Sequence, residues 1–225
     1  AILCPSDEAM EEYFETGSGI VLKERYGSWE NIPDDIVMLF IKRHLRESFL
    51  ATVPERFDKM NDRENSPLFV DQDEITDTYL GLNGVVYHTN KVYPPDDYVS
   101  VYGPVLFSDK TKVINWIIRQ NDYRLYLNSL VSTYSFFVQT DEFFDSYIDP
   151  VAYTKDKPAV LKYFFNPKTA TVNATVYSYD VVNNTVGDSI GSIINSAFLI
   201  NRLLDILDAH IVVGDVESGS GYYFT

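Results

Sequence analysis

Ala1-Ile2-Leu3-Cys4-Pro5-Ser6-Asp7-Glu8-Ala9-Met10 opens the chain, and Ser135-Phe136-Phe137-Val138-Gln139-Thr140-Asp141-Glu142-Phe143-Phe144 repeats its pattern further on. Each copy is an apolar stretch, then Ser or Thr, then Asp-Glu, then two apolar residues. Ser6 thus matches Thr140, Asp7 matches Asp141, and Glu8 matches Glu142. The physical reading is a strand that runs into a helix N-terminus. A Ser6 or Thr140 hydroxyl can accept from the first unpaired amides. The two acids that follow suit the positive end of the helix dipole. These carboxylates are therefore read as capping groups and not as a catalytic pair.

The sequence downstream of each copy also repeats. A long amphipathic helix is expected from Pro33 to about Val53, with a stripe of Ile36, Val37, Phe40, Ile41, His44, Leu45 and Phe49. Pro33 suits a first helical turn and Pro54 ends the run. In the second half, Ile190, Ile193, Ile194, Ala197, Phe198, Leu203, Leu204 and Leu207 form a similar helical pattern. It leads to His210, a strand-like Ile211-Val212-Val213, and Gly214. The second copy is the longer between its Asp and its His, and the excess falls at about 150–187. There, Val160–Phe165 and Ala170–Tyr179 read as strands around an Asn166–Thr169 turn, an inserted β-hairpin. Its Tyr163, Tyr177 and Tyr179 are the expected contact residues, with a merely decorated edge as the alternative.

Ahead of the second copy, Ser108 is expected to cap a helix carrying Val113, Ile114, Trp116, Ile117 and Ile118, followed by a short helix at Tyr123–Leu130. In the first half, Asn83-Gly84 signals a turn and Val85–Val92 a strand. The expected domains are 1–106 and 107–225.

In this order, the segments resemble the fasciclin family of extracellular adhesion domains. Leu3–Met10 and Phe137–Phe144 look like the family's opening strand and cap. Asn83–Pro94 looks like its closing motif, and Ala209–Gly214 resembles its Tyr-His region and turn. The resemblance implies an α+β fold of two fasciclin-like domains, each a twisted β-wedge or sandwich with helices packed around it. By that resemblance the first domain lacks its N-terminal helices and the second its C-terminal strands, so the chain is expected to be part of a longer array. Arg43 and Ala209 stand where the family has Tyr before His, and Val213 replaces a Pro. The motif histidines, His44 and His210, are read as structural: a buried imidazole bonded to the opening strand and the helix cap.

Composition narrows the function. Lys plus Arg is 18 against 33 for Asp plus Glu, a net charge of −15. Such a surface repels phosphate backbones, which excludes nucleic acid as a partner. Aromatic residues make up 15%, with 17 Tyr, which suits β structure and polar binding surfaces. One cysteine excludes an intrachain disulfide. Leu3, not a small residue, precedes Cys4, so Cys4 is read as a buried strand thiol and not as a lipidation site. No apolar run is long enough for a membrane helix.

No nucleophile, zinc or nucleotide motif is present, and neither catalytic residues nor cofactor nor metal is expected. Asp71–Glu74, Asp96-Asp97 and Asp58–Glu64 read as solvated acidic loops, and the glycines at 214, 219 and 221 as a loop. Asn173-Ala174-Thr175 and Asn183-Asn184-Thr185 fit the glycosylation acceptor pattern.

The expected function is non-catalytic adhesion or binding at the cell surface or outside it, toward protein or glycan. The membrane link would be a lipid anchor outside this chain, in the manner of Bacteroidetes surface fasciclin lipoproteins. The alternative is an accessory lipoprotein subunit of an outer-membrane nutrient-uptake complex.

Overall fold

Strand β1 (Ile2–Pro5) ends at Ser6, whose backbone is extended (φ −67°, ψ 162°) and whose Oγ accepts from the Ala9 amide at 3.2 Å. Helix α1 (Asp7–Glu15) starts there, with Asp7 and Glu8 in its first turn. The chain was described from a computed structural model covering residues 1–47, 52–150, 153–214 and 216. Phe49, Gly219 and Gly221 lie outside these residues. The contacts divide the chain into two units, Ala1–Val99 and Ser100–Thr225. Both mix helices with small sheets, an α+β architecture.

In the first unit α1 is followed by α2 (Ile20–Tyr26) and α3 (Asp34–Arg43). Their buried faces meet in an aromatic cluster. Phe14 stacks on Trp29 with centroids 5.0 Å apart, and Trp29 meets Phe40 edge-on at 5.5 Å. The hairpin of β2 (Ile75–Gly81) and β3 (Gly84–Thr89) completes a sheet in the order β1-β3-β2. Strand β1 runs parallel to β3, with Leu3 beside Tyr87 and Cys4 beside His88. Leu3, Val85 and Tyr87 then close a second core with Phe57, Met60, Leu68, Val70 and Tyr93. A short α4 (Asp96–Val99) ends the unit.

Several expectations change here. Helix α3 stops at Arg43, well short of Val53, because the chain turns at His44 to bridge Leu45 to Ile2. The Arg46 amide then donates to the Ala1 carbonyl at 2.9 Å. Hydrophobic spacing carries no record of this capture by β1. Asn83-Gly84 is not the centre of the turn: Gly81 pairs with Gly84, so Leu82 and Asn83 form the loop and Gly84 opens β3. Cys4 lies on β1 but is half-buried.

In the second unit α5 (Gly103–Leu106), α6 (Lys112–Gln120) and α7 (Tyr123–Leu127) precede β4 (Tyr134–Phe136) and a single-turn α8 (Asp141–Phe144). Thr140 stands at the N-cap of α8 without a side-chain bond. Asp141 instead caps α6, accepting from the amides of Lys112 and Val113 at 3.2 and 3.0 Å. The expected Ser108 cap is therefore replaced by a carboxylate from the repeated motif, while Ser108 Oγ accepts from the Lys110 amide at 3.1 Å.

An antiparallel sheet follows in the order β5-β6-β7-β8: β5 (Tyr147–Asp149), β6 (Ala159–Asn166), β7 (Thr171–Asp180) and β8 (Thr185–Ile194). The expected hairpin is thus present, in register from Ala159–Ser178 to Asn166–Thr171. It is no decorated edge. Ala159, Leu161, Val172, Ala174 and Val176 are fully buried, so this sheet is core. Ile190, Ile193 and Ile194, expected on a helix, lie on β8. The helix α9 (Ala197–Asp208) begins only after Ser196, whose hydroxyl accepts from the Leu199 amide at 3.3 Å. Strand β9 (Ile211–Val213) then returns beside β4.

The uneven caps make a stability prediction. Ser6→Ala and Asp141→Ala should each cost about 1 kcal/mol, within the usual range for a lost N-cap. Thr140→Ala, whose hydroxyl makes no capping bond, should cost under about 0.5 kcal/mol. Urea unfolding midpoints of the three variants give the order.

Candidate functional site

The repeated motif meets its histidine in the same way in both units. The Leu3 amide donates to the His44 carbonyl, and the Phe137 amide to the His210 carbonyl, each at 2.9 Å. One residue on, Ile2 faces Leu45 and Phe136 faces Ile211, both antiparallel. The rings match too. His44 Nδ1 lies 2.9 Å from the Phe40 carbonyl and His210 Nδ1 2.6 Å from that of Ile206, each four residues back along its helix. The expectation that the imidazole bonds the opening strand is corrected: the backbone carbonyl does so, and the ring turns back onto its own helix.

His44 is buried, and its Nε2 accepts from the Tyr93 amide at 3.3 Å. An accepting Nε2 and a donating Nδ1 define the neutral Nδ1–H tautomer. Burial pulls its pKa down from 6.5 to about 4, against the raising effect of the Phe40 carbonyl, with a further lowering by Arg43. Such a group holds structure and does not shuttle protons near neutrality.

Arg43 occupies the place of the resembled family's Tyr. Its guanidinium lies 2.5 Å from Asp62 Oδ2 and 3.2 Å from Asp96 Oδ1, and donates to the Pro67 carbonyl at 3.0 Å. Asp62 and Asp97 are buried and Asp96 mostly so, which corrects their reading as solvated charge. Asp71–Glu74 is a capping box around a 3-10 turn, and Glu74 accepts from the Tyr93 hydroxyl at 2.7 Å and pairs with Lys91 at 2.5 Å. Among the described residues no group of three or more His, Cys, Asp or Glu is placed to hold a metal ion.

The three expected contact tyrosines do not form one surface. Tyr163 is 2% exposed and packs against Phe144 and Tyr147, at 5.8 and 6.1 Å between centroids. Burial drives its phenol pKa strongly upward. Leu161, on the same strand face, has Val176 opposite, whereas Tyr177 sits opposite Val160 on the other face. Only Tyr177 and Tyr179 reach solvent, both half-buried. Lys162 lies 5.4 Å from the Tyr177 ring centre, and Tyr179 bonds Asn184. Asn173 is buried, its Oδ1 accepting from the Asn195 amide, so the first glycosylation acceptor is closed in the folded chain. Asn183 lies on the exposed β7–β8 turn.

A cavity of about 550 Å³ lies within the second unit, between the start of α7, the end of α9 and β9. It is lined by Asn121, Asp122, Tyr123, Tyr126, Asp208, Ile211 and Val213. The i,i+3 spacing puts Tyr123 and Tyr126 on one helix face, with ring centres 6.3 Å apart, and Tyr126 also contacts Tyr134 at 4.6 Å. The Tyr123 hydroxyl donates to Asp208. Aromatic faces beside carboxylates and an amide can stack on a sugar ring and accept from its hydroxyls. The volume falls within the range of small-ligand sites. Sequence reasoning named the helix but not this site. The available signal was Asn121-Asp122-Tyr123 and Tyr126 at helical spacing.

No family model matches the chain, and no curated protein or solved structure gives a significant match. Among the described residues no helix is long and apolar enough to cross a membrane.

Two outcomes follow from the buried charges. For His44, the folded pKa lies below the unfolded value, so its contribution is complete above pH 6.5. It is lost as pH falls from 6.5 to about 4, by roughly 3 kcal/mol. Urea midpoints measured against pH should show that window, and His44→Gln should remove it. Arg43→Met leaves Asp62 and Asp96 without their cation and should cost about 3–5 kcal/mol in the same measurement.

Proposed function

We propose that this chain is a non-catalytic binding protein of the cell surface or the secreted space, built of two fasciclin-like units, with protein or glycan partners. The observation that carries this reading is the repeated strand and histidine clamp, held in one register in both units. Duplication of a scaffold unit is how binding arrays extend a contact surface, and here the histidine at its centre is committed to backbone bonds. The excess of acid over base favours cationic partners and keeps an exposed protein soluble. Attachment to a membrane would come through an anchor outside the chain.

A second reading, an accessory lipoprotein subunit of an outer-membrane nutrient-uptake complex, is favoured by the Tyr123–Tyr126 cavity. Its aromatic and carboxylate lining suits a glycan more than a protein surface. A glycan array probed with the whole chain tests both. The second reading predicts saturable binding of a defined oligosaccharide, weakened about tenfold or more by Tyr126→Ala, in line with the loss of one aromatic stacking contact. Binding to intact cells that ignores Tyr126→Ala supports the first. Catalytic turnover of any glycan bound would overturn both.

A further inference from the structure

The cavity beside α7 offers an occupant more acceptors than donors. Asp122 stands at the N-cap of α7 but makes no side-chain capping bond, so its carboxylate is not spent on the helix amides. Asp208 accepts from the Tyr123 hydroxyl at Oδ1, which leaves Oδ2 for a ligand and commits the Tyr123 proton. Asn121 adds an amide carbonyl. Against these acceptors the lining side chains set only two donor groups, the Asn121 amino group and the Tyr126 hydroxyl. No Lys or Arg is among the described residues that line the cavity, so its two carboxylates have no cation within the lining.

The rest of the lining suits a ring. The planes of Tyr123 and Tyr126 stand 74° apart, so the two rings form a corner and not a stack. Ile211 and Val213 of β9 supply an apolar wall. A sugar ring lays its C–H groups on an aromatic face and carries its polar groups at the rim. Each neutral hydroxyl of that rim donates one hydrogen and also accepts, whereas an ammonium donates three and accepts none. A sugar amine in place of a hydroxyl therefore matches the excess of acceptors, and each bond it makes to a carboxylate is charge-assisted. The chain's net charge of −15 draws such a cation toward the protein.

We propose that the cavity takes an amino sugar: a glycan residue with a free, protonated amine, its ring against Tyr126 and its ammonium held by Asp122 and Asp208. This rests on the glycan reading of the cavity and names the feature of the glycan that the cavity selects. Discrimination then falls between sugars of one ring shape that differ in a single substituent. A hydroxyl in that place brings one donor hydrogen and no charge. An acetamide also brings one, and adds bulk and a carbonyl acceptor that the lining does not need.

The test is titration calorimetry on the whole chain with three disaccharides that share linkage and ring shape: the fully deacetylated chitin disaccharide, its N-acetylated parent, and cellobiose. The pH is set where the free amine is charged. The deacetylated sugar is expected to bind about tenfold or more tighter than the other two, the scale of a hydrogen bond to a charged group. Asp122→Asn and Asp208→Asn should each remove most of that preference. Both aspartates are exposed, and Asp208→Asn keeps a carbonyl oxygen for the Tyr123 hydroxyl. Asp188→Asn, the same charge change on an exposed residue of β8, should leave the preference intact. Equal binding of the three disaccharides overturns the proposal and leaves the glycan reading standing. A loss on Asp188→Asn as large as that on Asp208→Asn also overturns it, as diffuse attraction to an acidic surface. If none of the three binds, the proposal falls, and the glycan array decides the reading beneath it.

Discussion

The carbonyl of a histidine at the end of a helix, accepting from the amide of an incoming strand, is the bond on which each unit is arranged. The last carbonyls of a helix have no partner within it. At His44 one goes to the Leu3 amide, and the ring nitrogen of the same residue turns back to the Phe40 carbonyl. A single residue thereby ends α3, satisfies an orphan carbonyl and fixes where β1 lies. The remaining ring nitrogen holds the Tyr93 amide, which ties the aromatic helical cluster to the sheet core. A charged imidazole could not accept there, and burial, which lowers the pKa of His44 to about 4, keeps the ring in the neutral form that this bond requires.

The units diverge on either side of this shared bond. In the first, the cap is followed by nine helical residues, and Ala9, Tyr13 and Phe14 are buried along α1. In the second, the helix after Thr140 lasts one turn before the chain becomes β5. Phe144 at the end of that turn is fully buried against Tyr163, while Phe143 is exposed. Strands β5 and β6 therefore supply the apolar surface against Phe143 and Phe144. This is why Tyr163 is core and cannot be a contact residue. The uncompensated Asp141 finds its role on α6, joining a motif residue to a helix nearly thirty positions upstream.

Local chemistry was legible in the sequence and distant chemistry was not. The Ser6 cap, the β6–β7 hairpin and its turn, the α7 helix and the equivalence of His44 with His210 all rest on spacing of a few residues, or on a pattern seen twice. The extent of α3 does not show in hydrophobic spacing because Leu45 and Arg46 are claimed by Ile2 and Ala1, some forty residues away. Strand β2 escaped notice because it is exposed along most of its length, with no apolar alternation to mark it. Asp62 and Asp96 read as solvent-facing until Arg43 was placed between them. Charge in a sequence carries a sign but no depth.

The candidate cavity follows the same logic. Tyr123 and Tyr126 are fixed by helical spacing and Asp208 ends α9, but Ile211 and Val213 reach them only because β9 pairs with β4. The corresponding place in the first unit is governed by His44, where the chain makes one bridge to Ile2 and no three-residue ladder. One clamp thus has two consequences. Where a further strand covers β1, it builds a closed core. Where β9 pairs with β4, it sets Ile211 and Val213 against the two tyrosines and so lines the cavity.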